Sequence, residues 1–81
     1  MNWAIFYSPG AERDSEGLPD EALAALGEVE AQLSEYPFLG DPDPFDRLER
    51  SIDFGKNGQG AITYFVDEDQ KVIAFLSIIW L

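Results

Sequence analysis

Residues 60–81 read GAITYFVDEDQKVIAFLSIIWL, and the fold turns on whether that run is strand or helix. β-Branched and aromatic residues fill both halves, and an acidic tip, Asp67-Glu68-Asp69-Gln70, separates them. That is strand chemistry with a turn between. The pattern predicts strands over 61–66 and 72–80. The second is apolar everywhere except Ser77. Such a strand is covered on both faces, or covered by its own chain on one and by a partner on the other.

Working back toward the N-terminus, Leu48, Arg50, Ile52 and Phe54 alternate with Glu49, Ser51 and Asp53, which predicts a strand over 48–54. A two-residue Asn57-Gly58 loop would set Ile52 beside Thr63 and waste the alternation. A three-residue loop over 56–58, with Gly58 left-handed, sets Ile52 opposite Ile62 and Arg50 opposite Tyr64. A slip of one residue flips every side chain, so the second register is the expected one. It gathers Ile52, Phe54, Ile62, Tyr64 and Val66 on a face for helices to cover. With 67–70 as the next loop, Tyr64 falls opposite Ile73 and Ile62 opposite Phe75. Ile73, Phe75 and Ile79 then join the covered face, while Phe65, Val72, Ala74, Leu76, Ile78 and Trp80 line the open one.

The first half supplies the cover. Trp3-Ala4-Ile5-Phe6-Tyr7 reads as a strand, and Ser8-Pro9 as a helix cap followed by proline at the first helical position. A short polar helix runs to Glu16 and ends at Gly17. From Asp20 to Tyr36, Ala22, Leu26, Val29, Leu33 and Tyr36 fall at spacings of four, three, four and three, the stripe of a helix laid on a sheet. Pro37 stops it. Two Asp-Pro pairs in the next stretch, FLGDPDPF at 38–45, hold that segment as a loop. Asp41, Asp43 and Asp46 do not make a calcium loop, because Asp46 and Ile52 stand where its Gly and Glu belong. The expected fold is therefore α+β, a single domain over 1–81. Its order is one strand, a short helix, a long helix and three antiparallel strands, with both helices on one face.

Composition narrows the function. Sixteen acids against five bases give a net charge of −11, and the chain has no His and no Cys. Proteins that grip nucleic acid cluster Lys and Arg against phosphate, whereas Arg13, Arg47, Arg50, Lys56 and Lys71 are scattered. Without His, Ser8, Ser15, Ser34, Ser51 and Ser77 lack a base to activate them. Glu49 and Asp53 share a strand face and read as solvated acids. Gly55, Gly58 and Gly60 flank a turn and form no phosphate cradle. No metal site or cofactor is expected. MNWAIFYSPGAERD lacks the features of a signal peptide, and no apolar run reaches the roughly 20 residues of a membrane span. A cytoplasmic protein that binds neither nucleic acid nor membrane is the expectation.

The element order, Trp3 to Tyr7, Leu18-Pro19 before the long helix, the Asp-Pro loop, and Tyr64-Phe65-Val66-Asp67 before the final strand together resemble the RelE/ParE superfamily of bacterial toxins. The resemblance covers nearly the whole chain. It implies the RelE/ParE fold. It also implies either a ribosome-dependent messenger RNA endonuclease or a gyrase poison, neutralised by an antitoxin peptide. The nuclease members carry bases on the open face and often a terminal His or Tyr. Here Ala61 stands three residues before Tyr64, where the family pattern often has Arg, and Ile79, Trp80 and Leu81 end the chain. Arg50 is the one candidate for a residual functional base. The expected register turns it to the helix side or edge, where capping the sheet edge or pairing an acid of the long helix is the expected role.

The leading expectation is a module of this fold without nuclease residues, leaning away from enzymatic activity. It acts through protein–protein contact, as a homodimer or with a small antitoxin-like protein, over Phe65, Val72, Ala74, Leu76, Ile78 and Trp80. Two other readings stand beside it: an active toxin of either type whose active residues sit outside the usual positions, and an acidic inhibitor that mimics nucleic acid, which the net charge of −11 motivates.

Overall fold

The computed structural model describes residues 2–46 and 48–81. The elements follow in the order β1 (Ala4–Tyr7), α1 (Pro9–Glu16), α2 (Asp20–Glu35), β2 (Asp41–Pro42), β3 (Glu49–Phe54), β4 (Gly60–Asp67) and β5 (Val72–Trp80). The fold is α+β. Its five strands form one sheet in the order β1-β5-β4-β3-β2. Two features go beyond the expected strands. A two-residue strand, β2, sits inside the Asp-Pro loop and pairs with β3. β1 lies parallel to β5, which makes the sheet mixed.

Local chemistry sets the helices where it was expected to. Ser8 is extended, and its Oγ accepts from the Ala11 amide at 3.1 Å, with Pro9 opening α1. In α2, Ala22, Leu26, Val29 and Leu33 are buried. Tyr36, expected on that stripe, is instead 61% exposed. The helix stops at Glu35 ahead of Pro37, so Tyr36 caps the end through its own N–H to Gln32 and turns outward. Leu48 likewise falls outside its expected strand and is exposed.

The β3–β4 hairpin has the expected register, Ile52 with Ile62 and Arg50 with Tyr64. Gly58 is left-handed at φ 67°, the conformation that turn requires. The β4–β5 hairpin departs from expectation twice. Asp67 pairs with Val72, so Tyr64 meets Phe75 rather than Ile73. Lys71, left-handed at φ 59°, closes that loop. The shift is two residues and keeps every side chain on its expected face. A β-bulge then breaks the ladder. Tyr64 pairs with Phe75 but Thr63 pairs with Ser77, leaving Leu76 as the extra residue.

The bulge inverts the end of β5. Ile62 now pairs with Ile78 instead of Phe75, and Ile78 and Trp80 turn to the helix side while Ile79 turns out. Ile78 is 5% exposed, and Trp80 packs on Phe54 with ring centroids 5.5 Å apart. The expectation that Ile78 and Trp80 line the open face, and Ile79 the covered one, is therefore corrected. Helix α1 fits the irregular stretch, covering the edge of β5 beyond the reach of β1. The Leu76 carbonyl accepts from Ser8 Oγ at 3.2 Å, and the Ile78 N–H donates to Asp14 Oδ2 at 2.9 Å.

One core results, between both helices and one sheet face. It contains Leu26, Val29 and Leu33 of α2, Ala11 of α1, and Phe54, Ile62, Tyr64, Ile73, Phe75 and Ile78 of the sheet. The larger of these side chains contribute about 1.5–3 kcal/mol each by burial. Among the described residues, no helix is long and apolar enough to cross a membrane.

Candidate functional site

Residues opposite one another on adjacent strands share a face. The pairing therefore writes the open face as four rows. The first runs Asp67, Val72, Ala4, and the second Glu49, Phe65, Ala74, Phe6. The third runs Asp41, Ser51, Thr63, Ser77, and the fourth Asp53, Ala61, Ile79. Both helices pack against the other side. Phe6 is 59% and Ile79 55% exposed, and Phe65 and Val72 are half-buried. Ala74 is nearly buried between Phe65 and Phe6, its neighbours in the row. Leu76, half-buried, sits at the bulge.

Four of the six expected interface positions thus remain on this side or at its bulge, and Ile78 and Trp80 leave it. Phe6 and Ile79 replace them as its most exposed large residues. Phe6 was readable only once the parallel β1–β5 pairing had placed it beside Ala74. No sequence signal marked Ile79, because a strand apolar on both faces hides a change of parity.

Among the described residues, no strand position of this face carries a base. Arg50, the only base in the described strands, lies on the helix side. Its Nε donates to the Gly40 carbonyl at 3.1 Å, one terminal nitrogen to the Phe38 carbonyl at 3.3 Å, and the guanidinium lies 5.2 Å from the Phe38 ring centroid. Tyr64, opposite it, donates to the Pro37 carbonyl at 3.0 Å and accepts from the Gly40 N–H at 2.9 Å. Burial is the main cause that raises its pKa; the Gly40 hydrogen bond and Arg50 work against it. Gly40 is needed here, since a Cβ would come within 2.6 Å of the Ser51 carbonyl and 2.7 Å of the Tyr64 hydroxyl.

Arg50 is thus a brace for the loop between α2 and β2. Tyr64→Phe should cost about 1–3 kcal/mol by leaving two buried backbone groups short of a partner. A lower denaturation midpoint at unchanged slope would report it.

The remaining polar groups have structural partners too. Asp43 Oδ1 accepts from the N–H of Phe45 at 2.7 Å and of Asp46 at 3.0 Å, and Asp46 Oδ1 from that of Leu48 at 3.0 Å. These are turn-forming side chains. The Tyr7 hydroxyl donates to Glu30 Oε1 at 2.7 Å, and burial first, then Glu30, raise its pKa, so it stays a neutral donor. Lys71 Nζ lies 5.0 Å from the Trp3 ring centroid. A cleft of about 620 Å³ between α2 and the β3–β4 turn is lined by Glu21, Glu28, Asp53 and Lys56 with apolar neighbours. Its lining holds no Ser, Cys, His or Tyr. Among the described residues, no group of three or more His, Cys, Asp or Glu is placed to hold a metal ion.

No protein-family model matches the chain, and no curated protein matches it in sequence. Solved structures do. A chain of the RelBE2 toxin–antitoxin complex from Mycobacterium tuberculosis superposes with a TM-score of 0.85 at 23% identity, covering 100% of both chains. An arginine-to-alanine double mutant of E. coli toxin RelE in the free state gives 0.84 at 15% identity, covering 99% of this chain and 84% of that one. The archaeal RelE–RelB complex from Pyrococcus horikoshii gives 0.71 at 16% identity, covering 99% and 96%. The chain has the RelE/ParE-like toxin fold.

Proposed function

We propose that this chain uses the RelE fold as a protein-binding module, engaging an antitoxin-like partner over the open face of its sheet. One observation carries the reading. The face that remains after folding presents Phe6, Phe65 and Ile79 and, among the described residues, carries no base at any strand position. Apolar surface of this kind marks interaction sites. Two of the similar structures are complexes of a RelE-type toxin with its antitoxin, which supports a protein as the occupant. A second copy of the chain fits less well, because each carries −11 and the acids border this same face.

Among the described residues, the strand positions of the face offer RNA cleavage no cation to hold phosphate. A nuclease needs donors or cations aimed at the transition-state charge, and each one removed costs about 2.7–4 kcal/mol. The purified chain with ribosomes and messenger RNA should leave the message intact; cleavage that disappears in Arg50→Ala would contradict this. The binding half of the proposal is tested by reconstitution. A protein captured by the chain, identified and purified, should form a complex of defined stoichiometry in sedimentation. A chain that self-associates through Phe6 and Ile79 instead would overturn the choice of partner.

A further inference from the structure

The four rows of the open face have a common polarity. Each has a single acid at the end away from β1: Asp67 of β4, Glu49 of β3, Asp41 of β2 and Asp53 of β3 in successive rows. On the β5 and β1 side the first, second and fourth rows are apolar, from Val72 and Ala4 at one end to Ile79 at the other, and the third carries the hydroxyls of Thr63 and Ser77. The arrangement is a mostly apolar band, crossed by one row of hydroxyls, with an acidic margin along one side. Among the described residues no base stands in the margin, and Arg50, on the helix side, is held by the Gly40 and Phe38 carbonyls.

We infer that the occupant of this face is a cationic amphipathic helix of another protein, its apolar side on Phe6, Phe65 and Ile79 and its Lys or Arg residues along the acidic margin. Successive rows are about 6.7 Å apart, two residues of strand. A helix laid along the strands advances about 6 Å between residues i and i+4. One helix can therefore present a cation to each row while its apolar stripe follows the band. An acidic or neutral segment would bring like charges together, or strip water from four carboxylates without replacing it. This deepens the proposed function and rests on the open face being the binding surface.

The test uses the full chain and a Leu/Lys peptide patterned as an amphipathic helix, beside a Leu/Glu peptide of the same apolar pattern. The Leu/Lys peptide should bind with an affinity that falls as salt rises, and the Leu/Glu peptide should not bind. Removing three margin charges together, by Asp41→Asn, Glu49→Gln and Asp53→Asn, should weaken binding about tenfold at low salt. An equal removal elsewhere, by Glu12→Gln, Glu16→Gln and Glu21→Gln, should weaken it much less. Equal losses from both sets would mean that net charge alone draws the peptide, and would overturn the inference. Ile79→Ser separates this from the wider reading. Loss of binding in Ile79→Ser with none in the margin triple would refute the acidic margin but keep the open face. Unchanged binding in both would refute both.

Discussion

Ile78→Asp should unfold the protein, whereas Ile79→Asp, one residue along, should leave it folded. The two differ only in the face that the bulge at Leu76 assigns them. Ile78 is 5% exposed and belongs to the core with Phe54 and Ile62. An aspartate there loses the burial of an isoleucine and strands a charge among apolar neighbours, a penalty of several kcal/mol. A domain of this size has about 5–10 kcal/mol to lose. Ile79 is 55% exposed, and its replacement should cost about 1 kcal/mol, the range of strand preference. Circular dichroism with a urea titration separates the outcomes. Ile79→Asp unfolded beside a folded Ile78→Asp would mean that β5 runs without a bulge.

The second large effect concerns the partner. Phe6→Asp with Ile79→Asp should abolish the reconstituted complex while preserving the fold. Each large apolar side chain covered on binding is worth about 1.5–3 kcal/mol. Losing both should weaken the affinity 100-fold or more, by about 2.8 kcal/mol at least. New charge beside an apolar stripe adds to the loss. Titration calorimetry reads it directly. The comparison variant Glu28→Ala lies on α2, which packs on the other side of the sheet from Phe6 and Ile79, and should bind as the parent does.

Much of the fold was legible because its signals are local. Ser8-Pro9 places the start of α1, the four-three spacing from Ala22 to Leu33 places α2, and Gly58 with the alternation of β3 fixes a register. The errors of facing at the end of β5 have one physical source. Alternation reports parity only where the two faces differ in polarity, and β5 is apolar on both. The extra residue at Leu76 therefore left no trace, and Ile78, Ile79 and Trp80 were assigned to the wrong sides. β2 was hidden for a different reason. Two residues of strand around a proline are defined by their partner, Arg50 and Ser51, and not by any pattern of their own. Pairing of β1 with β5 is likewise a long-range choice, so Phe6 could not be placed on a face in advance.

The absence of cysteine makes the central claim directly measurable. A thiol introduced by Ile79→Cys would report the open face, and one introduced by Glu28→Cys the surface of α2. Maleimide labelling rates, taken with and without the reconstituted partner, compare the two. The open-face account expects the partner to slow labelling strongly at position 79 and to leave position 28 unchanged. Full-rate labelling at 79 within the complex, with protection at 28, would place the partner on the helices and contradict it.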